Sequence, residues 1–170
     1  MRRSYRAERY LGWLGAIRSA VPGVAATTDV IVGFPGETET DFLATLEVVE
    51  QARFDAAYMF QYSPRPGTRA ASMPEQLPKE VVQERFDRLA ELQERISLER
   101  SREQLGLAFE VLVEGAGKKG PSIQARTRTN RIVHLAAGLE PGEFAYARIT
   151  QASAHYLRGE VIPAPDAVAV

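Results

Sequence analysis

The chain has 170 residues, 45% of them hydrophobic, and its formal net charge of −1 identifies no class of partner. No apolar run approaches the roughly 20 residues of a membrane helix, and the basic start lacks the apolar core of a signal peptide, so we expect a cytoplasmic protein with no membrane partner. There is no cysteine, which excludes a disulfide partner, thiolate zinc sites and cysteine-held iron–sulfur clusters within this chain.

The first half of the chain is predicted to alternate helices with strands. Apolar residues recur at the helical period over residues 5–21 and again over 38–52. Residues 26–32 have the β-branched composition of a strand covered on both faces, and residues 55–62 resemble a second buried strand. This order is typical of a parallel α/β sheet. Two such strands would leave both edges open, so we expect further strands to complete the sheet.

Residues 29–38 (DVIVGFPGET) predict a strand that runs into a tight glycine turn. Gly33 and Gly36 permit backbone conformations that a Cβ would forbid. Thr38 and Asp41 have the spacing of a capping box, which predicts that a helix begins there. Ligands bind in α/β folds at the carboxyl end of such a strand. The alternative is a plain β–α turn that needs glycine, and these residues alone leave both interpretations open.

A proline-rich loop over residues 63–78 is followed by a long predicted helix over residues 79–103. One side of this helix is apolar: Val82, Phe86, Leu89, Leu92 and Ile96. Charges of both signs cover the other side, so we expect the helix to pack on the sheet with its outer side in water. A coiled-coil or partner helix is the alternative.

The character of the sequence changes near residue 105. Five short alternating segments are predicted as strands: 108–113, 122–129, 131–136, 143–150 and 155–162. Strands at this spacing are typical of a small closed β-barrel. The last residues, 163–170, have no pattern and are expected to form a disordered tail.

The predicted barrel contains a cluster of basic residues. Residues 118–131 include five basic side chains and no acidic one: Lys118, Lys119, Arg126, Arg128 and Arg131. Strand alternation is expected to send Arg126 and Arg128 side by side into solvent, a spacing suited to sugar-phosphate contacts, and Arg158 would join the same surface. We favour nucleic-acid binding; the alternative is that these charges keep an exposed strand soluble.

Few aromatic residues are available for base stacking. Phe144, Tyr146 and Tyr156 all fit the core of the barrel, so we expect contacts to the RNA backbone and shape. His134 lies in an apolar strand and is interpreted as structural, whereas His155 fits either RNA contact or packing. The signatures of nucleoside-triphosphate loops and of dinucleotide-binding turns are absent.

Several stretches give the chain a resemblance to a known family. They are MRRSYRAERYL, TTDVIVGFPGETETDF, FQYSPRPGTRAA, LPKEVVQERFDRLAELQERISLERS, ARTRTNRIVHL and ARITQASAHYLRGEV. Over nearly its whole length the sequence resembles the carboxy-terminal part of the radical-SAM methylthiotransferases. The segments RTRTNR and HYLRGEV favour the branch of the family that modifies tRNA.

The resemblance implies an α/β fold followed by an all-β fold. Residues 1–78 would be the C-terminal part of a radical-SAM, TIM-like barrel, and residues 79–104 a connecting amphipathic helix. Residues 105–162 would be a five-stranded, OB-like TRAM barrel that binds tRNA, followed by the tail over 163–170. The chain would be a fragment in which Met1 is internal; a genuine short protein is the alternative.

The same resemblance implies a reaction. The complete enzyme would add a methylthio group to carbon 2 of N6-isopentenyladenosine next to the anticodon, using S-adenosylmethionine and two 4Fe–4S clusters. Because cysteines hold both clusters in this family, we expect this chain alone to be inactive and to bind none of these cofactors stably. Its partners would be tRNA and a missing N-terminal portion. The alternatives are a stand-alone TRAM-type RNA-binding protein and, less favoured, a structural product without activity.

Carried over by position, the resemblance assigns binding residues but no catalytic or metal-binding residue. The residues expected to border S-adenosylmethionine are Asp29, Ile31, Gly33, Gly36 and Glu37. Those expected near the substrate opening are Tyr62, Arg65 and Gly67. Those expected on the tRNA surface are Lys118, Lys119, Arg126, Arg128, Asn130, Arg131, His155 and Arg158.

Overall fold

A computed structural model describes residues 6–117, 122–136 and 138–164. The chain divides into two units, Met1–Ile96 and Ser97–Val170. Within the described ranges, no helix is both long enough and apolar enough to cross a membrane.

The first unit alternates helices and strands as predicted. Its elements are α1 (Ala7–Ala20), β1 (Thr27–Val32), α2 (Glu39–Ala52), β2 (Ala56–Gln61), a 3-10 turn (Arg69–Ser72) and the greater part of α3 (Lys79–Arg102). β1 and β2 pair in parallel, with Thr27 opposite Ala56 and Val32 opposite Gln61. The predicted order of helix, strand, helix and strand is therefore confirmed.

Both ends of α2 are held by side chains. At its start, the Thr38 hydroxyl accepts the Asp41 N–H at 3.2 Å, and the Asp41 carboxylate accepts the Thr38 N–H at 2.9 Å. The predicted capping box is thus confirmed. At the other end, Arg18 of α1 donates to the carbonyl oxygens of Ala52 and Arg53 at 2.6 and 3.0 Å. These carbonyls have no partner within their own helix, so Arg18 fastens α1 to α2.

The sheet of the first unit buries only one of its faces. Val32 and Met59 pack against the helices. The opposite face leaves Ile31, Tyr58 and Phe60 exposed by 43, 59 and 51%. The prediction that both strands are buried is therefore wrong for the described chain, because its helices cover a single face of the sheet.

The long helix α3 contributes its apolar stripe to the core of the first unit. Val82, Leu89 and Ile96 are buried in the same cluster as Phe42 and Val49. Helical periodicity brings these three residues to one side, since they lie seven positions apart. The stripe that the sequence predicted is confirmed.

Over its described residues, the second unit contains five strands: β3 (Ala108–Ala116), β4 (Ile123–Thr127), β5 (Ile132–Leu135), β6 (Phe144–Ala152) and β7 (Leu157–Ile162). They close into a barrel in the order β3-β4-β5-β7-β6. β5 and β7 pair in parallel, and the other neighbouring strands pair antiparallel. The predicted small barrel of five strands is confirmed.

Small residues stand at several inward positions of the barrel, among valines, isoleucines and leucines that fill the rest of its core. Ala125, Val133 and Ala147 are completely buried. Gly159 of β7 lies so close to β6 that a Cβ there would stand 2.9 Å from the carbonyl oxygen of Arg148. A barrel of so few strands encloses little volume, so larger inward residues at these positions would force the strands apart.

Gly33 cannot be replaced by alanine without strain. Its φ is +77°, and a Cβ would lie 2.5 Å from Cγ2 of Val82. We expect Gly33→Ala to lower the free energy of unfolding of the first unit by at least about 2 kcal/mol. The single tryptophan, Trp13, lies in this unit, so its fluorescence during urea unfolding reports the change.

Gly12 provides the matched control. It lies within α1, and a Cβ there would meet nothing within 4 Å. Gly12→Ala should stabilise the first unit by about 0.5–1 kcal/mol, because alanine favours the helical backbone. Equal effects of the two substitutions would show that Gly33 has no special conformational role.

Candidate nucleic-acid interface

Strand alternation places a row of polar side chains on the outside of the barrel. Burial alternates along β4, so that Gln124 and Arg126 point outward. The register sets Gln124 opposite His134 of β5, and His134 opposite Arg158 of β7. We call the outward surface formed by Gln124, Arg126, Arg128, His134 and Arg158 the β4–β5–β7 face.

Arg126 is fixed by contacts on two sides. Its Nε and Nη2 donate to the two carboxylate oxygens of Glu114 at 2.6 and 3.2 Å. Its Nη1 donates to the backbone and side-chain oxygens of Asn130 at 3.2 and 2.9 Å. Four hydrogen bonds thus engage a guanidinium that has five N–H donors. Arg126 points outward as predicted, but its side chain is only 30% exposed and is bound to Glu114 and Asn130.

Arg128 is also paired but stays open to solvent. Its Nε and Nη2 both donate to one carboxylate oxygen of Glu110, at 2.9 and 2.6 Å. The side chain is 84% exposed, which confirms its predicted orientation. Its Nη1 has no hydrogen-bond partner among the described residues, so this end of the guanidinium is available to a phosphate oxygen.

A β-bulge locates Glu114 beside β4. The pairing of β3 with β4 shifts between Val113 and Gly115, which makes Glu114 an extra residue in its strand. Its carboxylate accepts hydrogen bonds from Arg126 and from Nε2 of Gln124, the latter at 2.8 Å. The Arg126 hydrogen bond, and after it that of Gln124, lowers the pKa of Glu114 below its ordinary value of 4.5. Glu114 is therefore ionised at neutral pH and balances the charge of Arg126.

The turn between β4 and β5 positions a partner of Arg126. Asn130 has a φ of +66°, a left-handed conformation that asparagine adopts more readily than most residues. Its N–H donates to the carbonyl oxygen of Thr127 at 2.9 Å. The next residue, Arg131, is half-buried, and its N–H donates to the Thr127 hydroxyl at 3.1 Å. Contact of Asn130 and Arg131 with RNA stays a prediction.

Two further arginines are exposed on the barrel. Arg158 of β7 and Arg148 of β6 form no ion pair within the parts of the chain that the structure describes. The sequence predicted Arg158 on the RNA surface but did not single out Arg148. Strand alternation provided the missing signal, because Ala147 and Ile149 on either side of Arg148 are inward and apolar.

Aromatic side chains are available on the surface, contrary to expectation. Phe144 is 67% and Tyr156 37% exposed, so the interpretation of both as core residues is wrong, whereas Tyr146 is partly buried. The inward positions of β6 are taken by alanines and an isoleucine, which leaves Phe144 outside. Tyr156 meets the edge of His134 at 5.1 Å between ring centroids. Exposed aromatic rings are groups on which unpaired bases stack.

The remaining residues predicted for the RNA surface are Lys118, Lys119 and His155. Both lysines lie outside the described residues. His155 is exposed and precedes β7 directly before Tyr156. Its contact with RNA stays a prediction.

The residues predicted to border S-adenosylmethionine separate into two groups in the first unit. Asp29 and Ile31 lie on the exposed face of β1. Glu37, in the following turn, accepts hydrogen bonds from Arg85 at 2.7 Å and from the N–H of Gly33 at 3.1 Å. Arg85 is 5% exposed, and a buried charge needs a partner of opposite sign. The carboxylate of Glu37 is therefore committed to holding the glycine turn against α3.

The other predicted residues of the first unit lie around the proline-rich loop. The N–H of Gly36 donates to the carbonyl oxygen of Glu75 at 2.9 Å. Tyr62 and Gly33 line an open groove of 1360 Å³, and the Tyr62 hydroxyl is buried without a hydrogen-bond partner among the described residues. Arg65 and Gly67 are exposed. No group of acidic or histidine side chains in the described ranges could hold a metal ion.

Comparison with known proteins matches a TRAM domain to residues 102–162. The chain is 58% identical over 164 residues to the tRNA-2-methylthio-N(6)-dimethylallyladenosine synthase of Mycolicibacterium smegmatis, covering 92% of this chain and 32% of that protein. It is 55% identical over 174 residues to the synthase of the same name from Leifsonia xyli, with 97% and 32% coverage. The synthase of Mycobacterium bovis is 56% identical over 164 residues, with 92% and 32% coverage.

The chain spans about a third of the length of these curated relatives. Among solved structures, a conserved protein of Methanococcus maripaludis matches 34% of this chain and 79% of that chain, at 24% identity and a TM-score of 0.30. A likeness at that TM-score does not by itself assign a fold.

The contact between Arg126 and Glu114 predicts a pH dependence. Because the pKa of Glu114 is lowered in the folded chain, the pair stabilises the barrel above the ordinary value of 4.5. That contribution is lost as the pH falls through the folded-state pKa. Carboxyl NMR titration of Arg126→Gln should show the pKa of Glu114 rising toward the ordinary value.

Asp41 serves as the internal control for this titration. Its pKa is lowered by the hydrogen bonds from Thr38 in the other unit, so Arg126→Gln should leave it unchanged. An unchanged pKa of Glu114 in the variant would contradict the assigned cause.

Proposed function

We propose that this chain, which is homologous over most of its length to tRNA-2-methylthio-N(6)-dimethylallyladenosine synthases and contains a TRAM domain, is the tRNA-binding part of a tRNA methylthiotransferase. The observation that carries the proposal is that the TRAM match coincides with a closed barrel bearing exposed arginines. In the longer protein, the reaction would add a methylthio group to carbon 2 of N6-isopentenyladenosine next to the anticodon. This chain alone would bind the tRNA without modifying it.

The β4–β5–β7 face offers the two kinds of contact that RNA binding uses. Arg158 and the open end of Arg128 would bind phosphate oxygens, since both are exposed. Tyr156, whose ring meets His134, would stack with an unpaired base. Phosphate contacts would dominate the affinity and make it depend on salt.

The cofactors of the longer protein would be S-adenosylmethionine and two 4Fe–4S clusters. The sequence has no cysteine, so this chain supplies no thiolate to either cluster. Asp29 and Ile31 fit a contact with S-adenosylmethionine, because their side of β1 is uncovered. Glu37 fits less well, since Arg85 and Gly33 already bind its carboxylate.

The exposed apolar face of the first unit indicates what the rest of the protein would supply. Ile31, Tyr58 and Phe60 form an uncovered surface on a parallel sheet of two strands. Parallel sheets are normally covered on both faces, and a sheet of two strands is too small to be stable alone. We propose that further strands of the longer protein pair with the open edges of β1 and β2 and complete a radical-SAM barrel. We also propose that the protein acts in the cytoplasm, where tRNA is modified.

A stand-alone TRAM-type RNA-binding protein is not favoured. The similarity to the synthases extends over 92–97% of the chain and therefore includes the first unit as well as the barrel. A protein that had kept only its RNA-binding function would need the barrel alone. The resemblance of the first unit instead supports its role in a methylthiotransferase.

The proposal predicts that the full chain binds tRNA with an affinity that falls as salt rises. Arg128→Gln combined with Arg158→Gln should weaken binding about 10-fold and reduce the slope of log affinity against log salt by about 1.4–1.8, since each lost phosphate contact contributes about 0.7–0.9. The test is fluorescence anisotropy of labelled tRNA, measured at salt concentrations from about 50 to about 200 mM.

Arg6→Gln combined with Arg9→Gln removes the same charge from the first unit. Both arginines are exposed at the start of α1. This control should change the affinity less than about twofold, because neither arginine lies on the barrel. The proposed function would be refuted if the wild-type chain failed to bind tRNA at low salt, and the proposed face would be refuted if both double variants lost the same affinity.

A further inference from the structure

Two glutamates of β3 neutralise the charge of two arginines on the β4–β5–β7 face. The carboxylate of Glu110 lies 2.6 Å from Nη2 of Arg128, and that of Glu114 lies 2.6 Å from Nε of Arg126. Opposite charges on neighbouring antiparallel strands attract at this spacing. Each arginine and its glutamate together therefore carry no net charge at neutral pH.

These two pairs are expected to contribute only modestly to the stability of the barrel. The side chains of Arg126 and Glu114 are 30 and 34% exposed, and those of Arg128 and Glu110 are 84 and 25% exposed. Ion pairs that are open to water contribute little to folding, because solvent screens their attraction. The barrel core is formed by apolar residues that lie on the inward side of the strands. The presence of Glu110 and Glu114 is therefore better explained by their effect on the binding of a negatively charged ligand.

The two pairs differ in how they restrict their arginine. Glu114 and Asn130 together engage Arg126 through four hydrogen bonds, so a phosphate approaching it must displace an existing partner. Glu110 binds one edge of Arg128 and leaves Nη1 open among the described residues. A phosphate at this open end would still lie near the carboxylate of Glu110 and be repelled by it.

We infer that Glu110 and Glu114 make the β4–β5–β7 face selective for tRNA over other polyanions, because they compete with ligand phosphates for Arg128 and Arg126. This inference rests on the proposed binding of tRNA. A polyanion that is attracted by charge alone gains little from arginines that are already neutralised. A folded tRNA whose shape presents a phosphate to Arg158 and an unpaired base to Tyr156 at the same time gains enough additional binding to displace the carboxylates, whereas unstructured poly(U) must first be ordered to make both contacts. Glu110 and Glu114 thus lower the affinity for ligands attracted by charge alone more than they lower the affinity for tRNA.

Glu110→Gln combined with Glu114→Gln tests the inference in the full chain. Glutamine keeps the size of each side chain and one acceptor oxygen, but it removes the charge. We expect the double variant to bind poly(U), a single-stranded RNA without tRNA structure, about 10-fold more tightly and with a salt slope steeper by about 1.4. The affinity for tRNA should rise by a smaller factor than the affinity for poly(U), so that the ratio of the two affinities falls about threefold.

Glu140→Gln combined with Glu143→Gln is the matched control. These two exposed glutamates belong to the same unit and contact one another, through the Glu140 N–H and the Glu143 carboxylate at 3.0 Å. The control removes the same total charge without releasing Arg126 or Arg128. We expect it to raise the affinity for poly(U) by less than about twofold. Glu110→Gln alone should give about half of the double variant's change in salt slope, since it releases one arginine.

Retention on immobilised heparin, a sulfated polyanion without bases, separates the two proposals. The inference is wrong if both double variants gain the same affinity for poly(U). It is also wrong if the affinity of the Glu110/Glu114 variant rises by the same factor for tRNA and for poly(U). If no variant binds tRNA but the Glu110/Glu114 variant elutes from heparin at higher salt than the control, the arginines are indeed neutralised by the acids. In that case the proposed binding of tRNA is wrong.

Discussion

The barrel of the second unit closes around a narrow apolar interior in which alanines and a glycine stand at the closest strand contacts and valines, isoleucines and leucines fill the rest. Ala125 and Ala147 are completely buried, and a Cβ on Gly159 would approach a carbonyl oxygen of β6 to 2.9 Å. Once these positions are fixed inward, strand alternation fixes the outward ones. Pairing of β3 with β4 then sets Glu110 and Glu114 beside Arg128 and Arg126. The charge of the candidate interface is therefore a consequence of how the barrel closes.

A buried ion pair has a comparable role in the first unit. Arg85 of α3 binds the carboxylate of Glu37, which also accepts the N–H of Gly33. Removing Arg85 would leave Glu37 without this cationic partner, which costs about 3–5 kcal/mol for a buried pair; removing Glu37 would leave Arg85 its longer contact to Glu39 at 3.4 Å. The glycine turn is thus rigidly joined to α3 at the carboxyl end of β1.

The two units differ in ways that fit separate roles in the proposed tRNA methylthiotransferase. The relatives are synthases about three times as long as this chain, and the match includes both units. The first unit exposes an apolar sheet face that a larger α/β barrel would cover, and the second is a complete closed barrel. Selectivity for tRNA would come from the balance of arginines and glutamates on that barrel, since attraction by charge alone does not distinguish one RNA from another.

The sequence by itself determined the elements and their order. Hydrophobic periodicity predicted the stripe of Val82, Leu89 and Ile96, and the capping box at Thr38 predicted the start of α2. These signals are local, because they depend on residues a few positions apart. The motifs that resemble the methylthiotransferases likewise lie in continuous segments, and the resemblance agrees with the synthases found by comparison.

Only the tertiary structure decided which charges remain available. Residues 118–131 contain no acid, yet Glu110 and Glu114 of a neighbouring strand neutralise Arg128 and Arg126. Phe144 was interpreted as core but is 67% exposed, because alanines occupy the narrow interior beside it. Burial and ion pairing depend on residues that are distant in the chain and become neighbours when strands pair. Local patterns therefore locate the candidate interface, while the closed barrel sets its charge and its exposed rings.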